Sequence, residues 1–403
     1  MRKPDPGVRI AVTGAGIICS IGGNKEEVWK AIEESRAGIG KLTRFPGETF
    51  PTAIAAEVDG DIDSRLPISR REAKRLSRSD KLAVIAAAEA IAQADGVPLQ
   101  RAIVSTGTST GGLLEGEDYY FTRVLRGRRR APASLVLQQP TSAPSDAVAH
   151  AFDVGRGVIS NATACASAGA AIGIAADYVR AGYADVAVAG GSDALCRLTY
   201  SGFNVLQAVD SQPCSPFSDQ RQGITLGEGA AYLVLERWED AAARGAKIIA
   251  ELCGYGATCD AHHPTAPHEE GRGAEAAMRG ALCDARSSAE SIDYVNAHGT
   301  GTLLNDSAET KAIIAALGTG VPVSSSKSYF GHTLGASGAV ESVITILALT
   351  RQVAPPTLRL AAAAPDCTLD YIPHTPRPMR MQNALSNTFG FGGSNVSLLF
   401  RKV

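Results

Sequence analysis

Residues 161–173 read NATACASAGAAIG: one cysteine, Cys165, among side chains that are almost all small, at the point where a helix begins. Glycine costs a helix about 1 kcal/mol relative to alanine, so Gly169 and Gly173 within ASAGAAIGIAADYV (166–179) imply a partner that packs too closely for a Cβ. That places the helix in the centre of a layered molecule. A cysteine at its N-terminus faces unsatisfied N–H groups and the positive end of the helix dipole, which favour a thiolate. The commoner fate of a free cysteine is that of a small buried hydrophobe, and Cys19, Cys196, Cys214, Cys253, Cys259, Cys283 and Cys367 are read that way.

Around this helix the chain alternates short Val/Ile-rich runs bounded by glycine with alanine-rich helical stretches, which is α/β patterning. Strands are expected in 9–16, 101–109, 185–191, 230–236, 246–256, 292–299 and 321–326, and helices in 24–35, 80–94, 276–285 and 308–318. The stretch 162–182 has a weak echo at 330–350, where FGHTLGASGAVESVITILALT again sets a reactive side chain before a small-residue helix. A duplicated βα architecture gives such an echo. It divides the chain into units 1–245 and 246–403.

With 403 residues, 45% of them hydrophobic and 20% charged, the chain can bury a large core. A formal net charge of −2 gives no reason to expect nucleic acid. The only dense basic run, RGRRR at 126–130, is read first as a solvated loop. Eight cysteines without a C-x-x-C pair, and an N-terminus without a signal-type apolar stretch, favour reduced thiols and a cytoplasmic protein. The longest strongly apolar run, VITILAL at 343–349, is far short of the roughly 20 residues that cross a bilayer, so no membrane partner is expected.

Two histidines in glycine turns join Cys165 as candidates for chemistry. NAHGTGT (296–302) sets His298 after the apolar run IDYV, and SSSKSYFGHTLGASGA (324–339) sets His332 before the second small-residue helix, five residues after Lys327. Glycine lets backbone and substrate approach such side chains closely. His150, His262, His263, His268 and His374 are read as ordinary hydrogen-bonded residues. NTFGFGGSNVSLLF (387–400) reads as strand, glycine turn and strand, with a backbone N–H near Phe391 available to an oxyanion.

ATACASAG, NAHGTGT, SKSYFGHTLGASGAVE and NTFGFGGSN, in this order, closely resemble the motifs of the elongating 3-oxoacyl-[acyl-carrier-protein] synthases, and RIAVTGAGIICSIGGNKEEVWKAI resembles that family's opening strand and helix. The resemblance implies a thiolase-like α/β fold of five αβαβα layers built from two similar halves, usually a homodimer or a heterodimer with a related subunit. It implies that Cys165 carries the acyl group. His298 and His332 would assist decarboxylation of a malonyl thioester, with Lys327 and Glu309 as a supporting ionic pair. The N–H groups of Cys165 and Phe391 would form an oxyanion hole, Phe389 and Phe391 would gate it, and Thr300 and Thr302 would bind the phosphopantetheine arm. Acyl carrier protein is the implied partner, and no metal or other cofactor is required.

Two positions depart from the housekeeping pattern. Thr110 stands where the family's fatty-acid enzymes carry a bulky aliphatic at the acyl pocket, and Gln222 stands where an aspartate is common, a form more like polyene or polyketide-type synthases. Saturated fatty acyl chains and unsaturated, aryl or oxidised intermediates both stay open as substrates. A silent chain-length-setting subunit is the alternative, against which stand Cys165, His298 and His332 together. For a carrier protein, which is acidic, Arg70, Arg71, Lys74 and Arg75 are the first docking candidates, expected within about two helical turns, and RGRRR the second.

Overall fold

The structure, a computed structural model, describes residues 7–47, 50–125 and 132–403; the RGRRR run lies outside them. Ten strands form one mixed sheet: β1 (Ile10–Cys19), β2 (Ala102–Gly107), β3 (Gly157–Asn161), β4 (Val186–Asp193), β5 (Gly229–Arg237), β6 (Ala250–Cys259), β7 (Tyr294–Asn296), β8 (Val323–Ser324), β9 (Asn383–Gly390) and β10 (Ser394–Arg401). Their spatial order is β8-β7-β9-β10-β6-β1-β5-β4-β2-β3. Five helices position the site: α1 (Arg78–Gln93), α2 (Ser167–Arg180), α3 (Arg272–Asp284), α4 (Leu303–Leu317) and α5 (Ser337–Arg351).

The order is one pattern used twice. In each half the third strand lies at the edge, followed by the second, the fourth, the fifth and the first, and the two first strands, β1 and β6, pair antiparallel over Ile10–Val12. In each half the three outer strands are parallel and the next two pairings antiparallel. The pattern restarts after β5, between Trp238–Ala243 and β6. Parallel neighbours need crossover helices, and these define five layers. Helix α1 covers the outer face of β1, β5 and β4. Helices α2 and α5 lie between the half-sheets, α2 touching β4, β2 and β10, and α5 touching β5, β1 and β9. Helix α3, with α4 against it, covers β6 and β10.

Small residues make this stacking possible. A Cβ on Gly14 or Gly16 of β1 would lie 2.0 or 2.1 Å from the carbonyl oxygens of Ala90 and Ala86 in α1, and the second half repeats the arrangement with Gly254 and Gly256 against Ala281 and Ala277 of α3. The central helices cross through glycine, as the opening motif requires: a Cβ on Gly338 would lie 2.5 Å from the Gly169 nitrogen, and one on Gly173 would enter the Tyr255 ring. Residues 337–349 of α5 are all buried. The apolar stretch Leu334–Arg351 is long enough to cross a membrane by length and composition, and 89% of it is buried inside the protein.

The duplication also aligns the chemistry. Cys165 sits between the third strand and central helix of the first half (β3, α2), and His332 between the third strand and central helix of the second (β8, α5).

Candidate active site

Four segments bring the predicted residues to one cavity of about 320 Å³, lined among others by Cys165, His298, Thr300, Thr302, His332, Phe389 and Phe391. The cysteine leaves β3 through a turn in which Ala164 has φ +49°, a left-handed conformation that alanine adopts only under the constraint of its surroundings. Cys165 itself is 7% exposed. The backbone N–H groups of Phe391 and of Cys165 lie near enough to its sulfur to favour the charged form, which sets two donors beside the place where a thioester oxygen bound at that sulfur would develop charge.

The thiolate expected from the helix terminus is corrected here. Burial pushes the Cys165 thiol up to about 11, against the Lys327 charge and the two N–H groups. Desolvation of a small anion outweighs donors and a cation acting across the cavity, so the resting sulfur is a thiol. Alkylation of Cys165 by iodoacetamide, followed through the mass of its own peptide, is therefore expected to accelerate about tenfold per pH unit between pH 7 and 9. A rate already level by pH 8 would indicate a preformed thiolate.

Both histidines are neutral. Burial lowers His298 and His332 well below the usual imidazole range, and the charge of Lys327 adds to it. Their tautomers follow from their partners. Lys327 Nζ lies 3.1 Å from His298 Nδ1 and can only donate, while the Leu334 N–H donates to His332 Nδ1 at 3.0 Å, joined by the Ser337 hydroxyl at 3.1 Å. Each ring therefore carries its proton on Nε2. The rings meet edge to face with centroids 5.4 Å apart.

The supporting ionic pair is not Lys327 with Glu309. Lys327, fully buried, is in direct contact with Glu341 of α5. Glu309 instead accepts the backbone N–H groups of His298 at 2.8 Å and Gly299 at 2.7 Å, holding the turn that carries His298. Burial raises Glu341 to about 7 against the pull of Lys327, and it raises Glu309 to about 7 against these two N–H groups. Glu341→Ala would leave the buried Lys327 side chain without its carboxylate partner, and a loss of roughly 3–5 kcal/mol of stability in urea titrations is expected; a loss below about 1 kcal/mol would show that the pair contributes little to holding the core together.

The remaining predicted residues fall into two groups. Thr300 and Thr302 line the cavity with their hydroxyls 2.9 Å apart, and Thr302 also caps α4 through the Asn305 N–H. Helix α4 begins at Leu303, five residues before the start expected from sequence. Phe389 packs on His298 at 5.7 Å, and Phe391 lies against Phe203 at 5.5 Å. Phe203, which also lines the cavity, gave no signal in the sequence, but Gln222, singled out there, does line it. Thr110 is buried and is not among the residues lining this cavity; its hydroxyl donates to buried Asp193 at 2.7 Å. Arg70, Arg71, Lys74 and Arg75 are all exposed, but the helix they were expected to share is a single turn, Arg70–Ala73, closed by a capping box between Ser69 and Glu72.

Comparison with known proteins assigns this arrangement. Family models match across the chain: "Beta-ketoacyl synthase, N-terminal domain" over residues 8–241 and "Beta-ketoacyl synthase, C-terminal domain" over 249–361. The chain belongs to the beta-ketoacyl synthase family. Among beta-ketoacyl synthases it is 39% identical to 3-oxoacyl-[acyl-carrier-protein] synthase 2 of Synechocystis sp., covering 98% of each chain. It superimposes on the ishigamide ketosynthase/chain length factor with a TM-score of 0.93 at 33% identity, covering 98% of this chain and 99% of the other. A type II polyketide synthase acyl-carrier protein in complex with its ketosynthase bound to the hexaketide (AntDE:AntF) gives 0.87 at 30% identity, covering 98% and 99%. The chain is thus a thiolase-like condensing enzyme, a beta-ketoacyl synthase of the acyltransferase type.

Proposed function

We propose that Cys165 takes an acyl group from acyl carrier protein and that His298 and His332 hold the enolate of a malonyl thioester, joining the two as 3-oxoacyl-carrier protein. The observation that carries this reading is one cavity holding a thiol and two imidazoles, both with Nε2–H. In the first step Cys165 Sγ bonds to the acyl carbon, the carbon–sulfur bond to phosphopantetheine breaks, and the thiol proton passes to the departing sulfur. The N–H groups of Cys165 and Phe391 stabilise the intermediate oxyanion. In the second, malonyl loses carbon dioxide, and the electron pair moves onto the thioester oxygen, where two neutral N–H donors receive it. The enolate carbon then attacks the acyl carbon and releases the Cys165 sulfur, which regains a proton.

Thr300, Thr302 and Gln222 supply hydrogen-bonding groups along the route of the pantetheine arm, and Phe389 and Phe391 gate the sulfur. Glu309 and Lys327 hold His298 in place. The product enters fatty acid or polyene/polyketide biosynthesis. The working assembly is a homodimer or a heterodimer with a related subunit, in the cytoplasm, with units 1–245 and 246–403 as its two domains. Mixing the chain with acyl- and malonyl-carrier protein should give a 3-oxoacyl-carrier protein two carbons longer; absence of that mass with every acyl donor tried would remove the reading.

Arg70, Arg71, Lys74 and Arg75 are the proposed docking cations. Arg70→Glu together with Arg71→Glu is expected to lower kcat/KM for carrier-protein substrates at least about tenfold, equivalent to about 1.4 kcal/mol, while a small pantetheine thioester changes little. Equal losses with both substrates would rule this surface out.

A further inference from the structure

Asp193, the last residue of β4, is fully buried and accepts five hydrogen bonds. Thr108 Oγ1, Thr110 N–H and Thr110 Oγ1 donate to Oδ1 at 2.6, 2.9 and 2.7 Å. The Ser109 N–H at 2.8 Å and the Gly335 N–H at 2.6 Å donate to Oδ2. These donors come from two chain segments, each tied to a different reacting group. Ser109, gripped through its N–H, passes its hydroxyl to the carbonyl of Ala164 at 3.1 Å, the left-handed residue before Cys165. Gly335 follows Leu334, whose N–H fixes the His332 tautomer. The two segments touch at Asp193: a Cβ on Gly335 would lie 2.5 Å from the Ser109 nitrogen and 2.7 Å from Asp193 Oδ2.

We infer that Asp193 is a positioning residue that sets the distance between the acyl-bearing sulfur and the enolate-holding His332. One carboxylate spans the first half, which presents the nucleophile, and the second half, which presents the histidine. Neither reaction half needs that distance, because acylation uses Cys165 with its N–H donors and decarboxylation uses the two imidazoles. Carbon–carbon bond formation needs it, since the enolate carbon must reach the acyl carbon, and a misplacement of about 1 Å costs such a step about 10²-fold. The inference rests on the roles given to Cys165 and His332 above.

The test compares three rates in Asp193→Asn, which keeps the shape but presents an amide N–H₂ to donors, and in Ser109→Ala, which leaves the carboxylate intact and cuts only the link to Ala164. The rates are acylation of Cys165 by mass, carbon dioxide release from malonyl-carrier protein, and condensation. In Asp193→Asn condensation is expected to fall by about 10²-fold, with KM for both substrates unchanged and each half-reaction within tenfold of the parent. Ser109→Ala is expected to show the same selectivity at a smaller size, and it decides the matter alone if Asp193→Asn does not fold. Parallel losses in all three rates, or no loss, would overturn the inference. Cys165→Ala, run alongside, separates this from failure of the underlying assignment: condensation surviving there would refute the role of Cys165 itself.

Discussion

Cys165→Ala is expected to lose condensation by at least about 10⁴-fold, because the acyl group has no other sulfur to wait on while malonyl is decarboxylated. The fold should be unaffected: the side chain is small, and the turn that presents it is held by backbone and Ser167 contacts, the Ser167 hydroxyl lying between the Thr163 N–H and the Ala164 carbonyl. Thermal unfolding within a few degrees of the parent checks that point. Carbon dioxide release from malonyl-carrier protein should persist in this variant, since both imidazoles and Lys327 remain. Near-normal condensation by the alanine protein would end the covalent reading.

The histidine variants should show the opposite division. His298→Ala and His332→Ala each remove one N–H donor from the developing enolate, and a loss of at least about 10²-fold in malonyl decarboxylation is expected from each. Acylation of Cys165 should continue, though more slowly. The geometry supports this division: the Nδ1 atoms of both rings are occupied, by Lys327 and by the Leu334 N–H, so each faces the cavity with a proton rather than a lone pair. A ring in that tautomer donates to an oxyanion and is poorly set to take the thiol proton. If either histidine were the base that activates Cys165, its variant would lose acylation as completely as Cys165→Ala. Acylation lost in both with decarboxylation intact would reverse the roles.

The parts legible in sequence are those whose chemistry is local. Gly169 and Gly173 announced a buried helix because glycine in a helix needs a reason, and Gly338 and Tyr255 are that reason. His298 and His332 stood out through the glycines around them, and the echo between 162–182 and 330–350 corresponds to two copies of one strand order. What sequence left open depended on which elements meet. Lys327 has two glutamates within reach of the same cavity, and only the packing of α5 selects Glu341. A glutamate inside GAVESVITILAL was nonetheless a signal, since a carboxylate in an otherwise apolar buried helix requires a partner. Thr110 was read by its position in a motif, whereas its hydroxyl is claimed by Asp193, 83 residues away. The strand β3 was missed because its edge position leaves alternate residues exposed and its five residues carry only two apolar side chains, Val158 and Ile159.

The central claim, that the acyl group is held on Cys165 and spent in the condensation, is tested most directly by the mass of the Cys165 peptide. After incubation with acyl-carrier protein that peptide should gain the acyl mass, and addition of malonyl-carrier protein should discharge it as 3-oxoacyl-carrier protein appears. An unmodified Cys165 peptide under conditions where the product forms would contradict it.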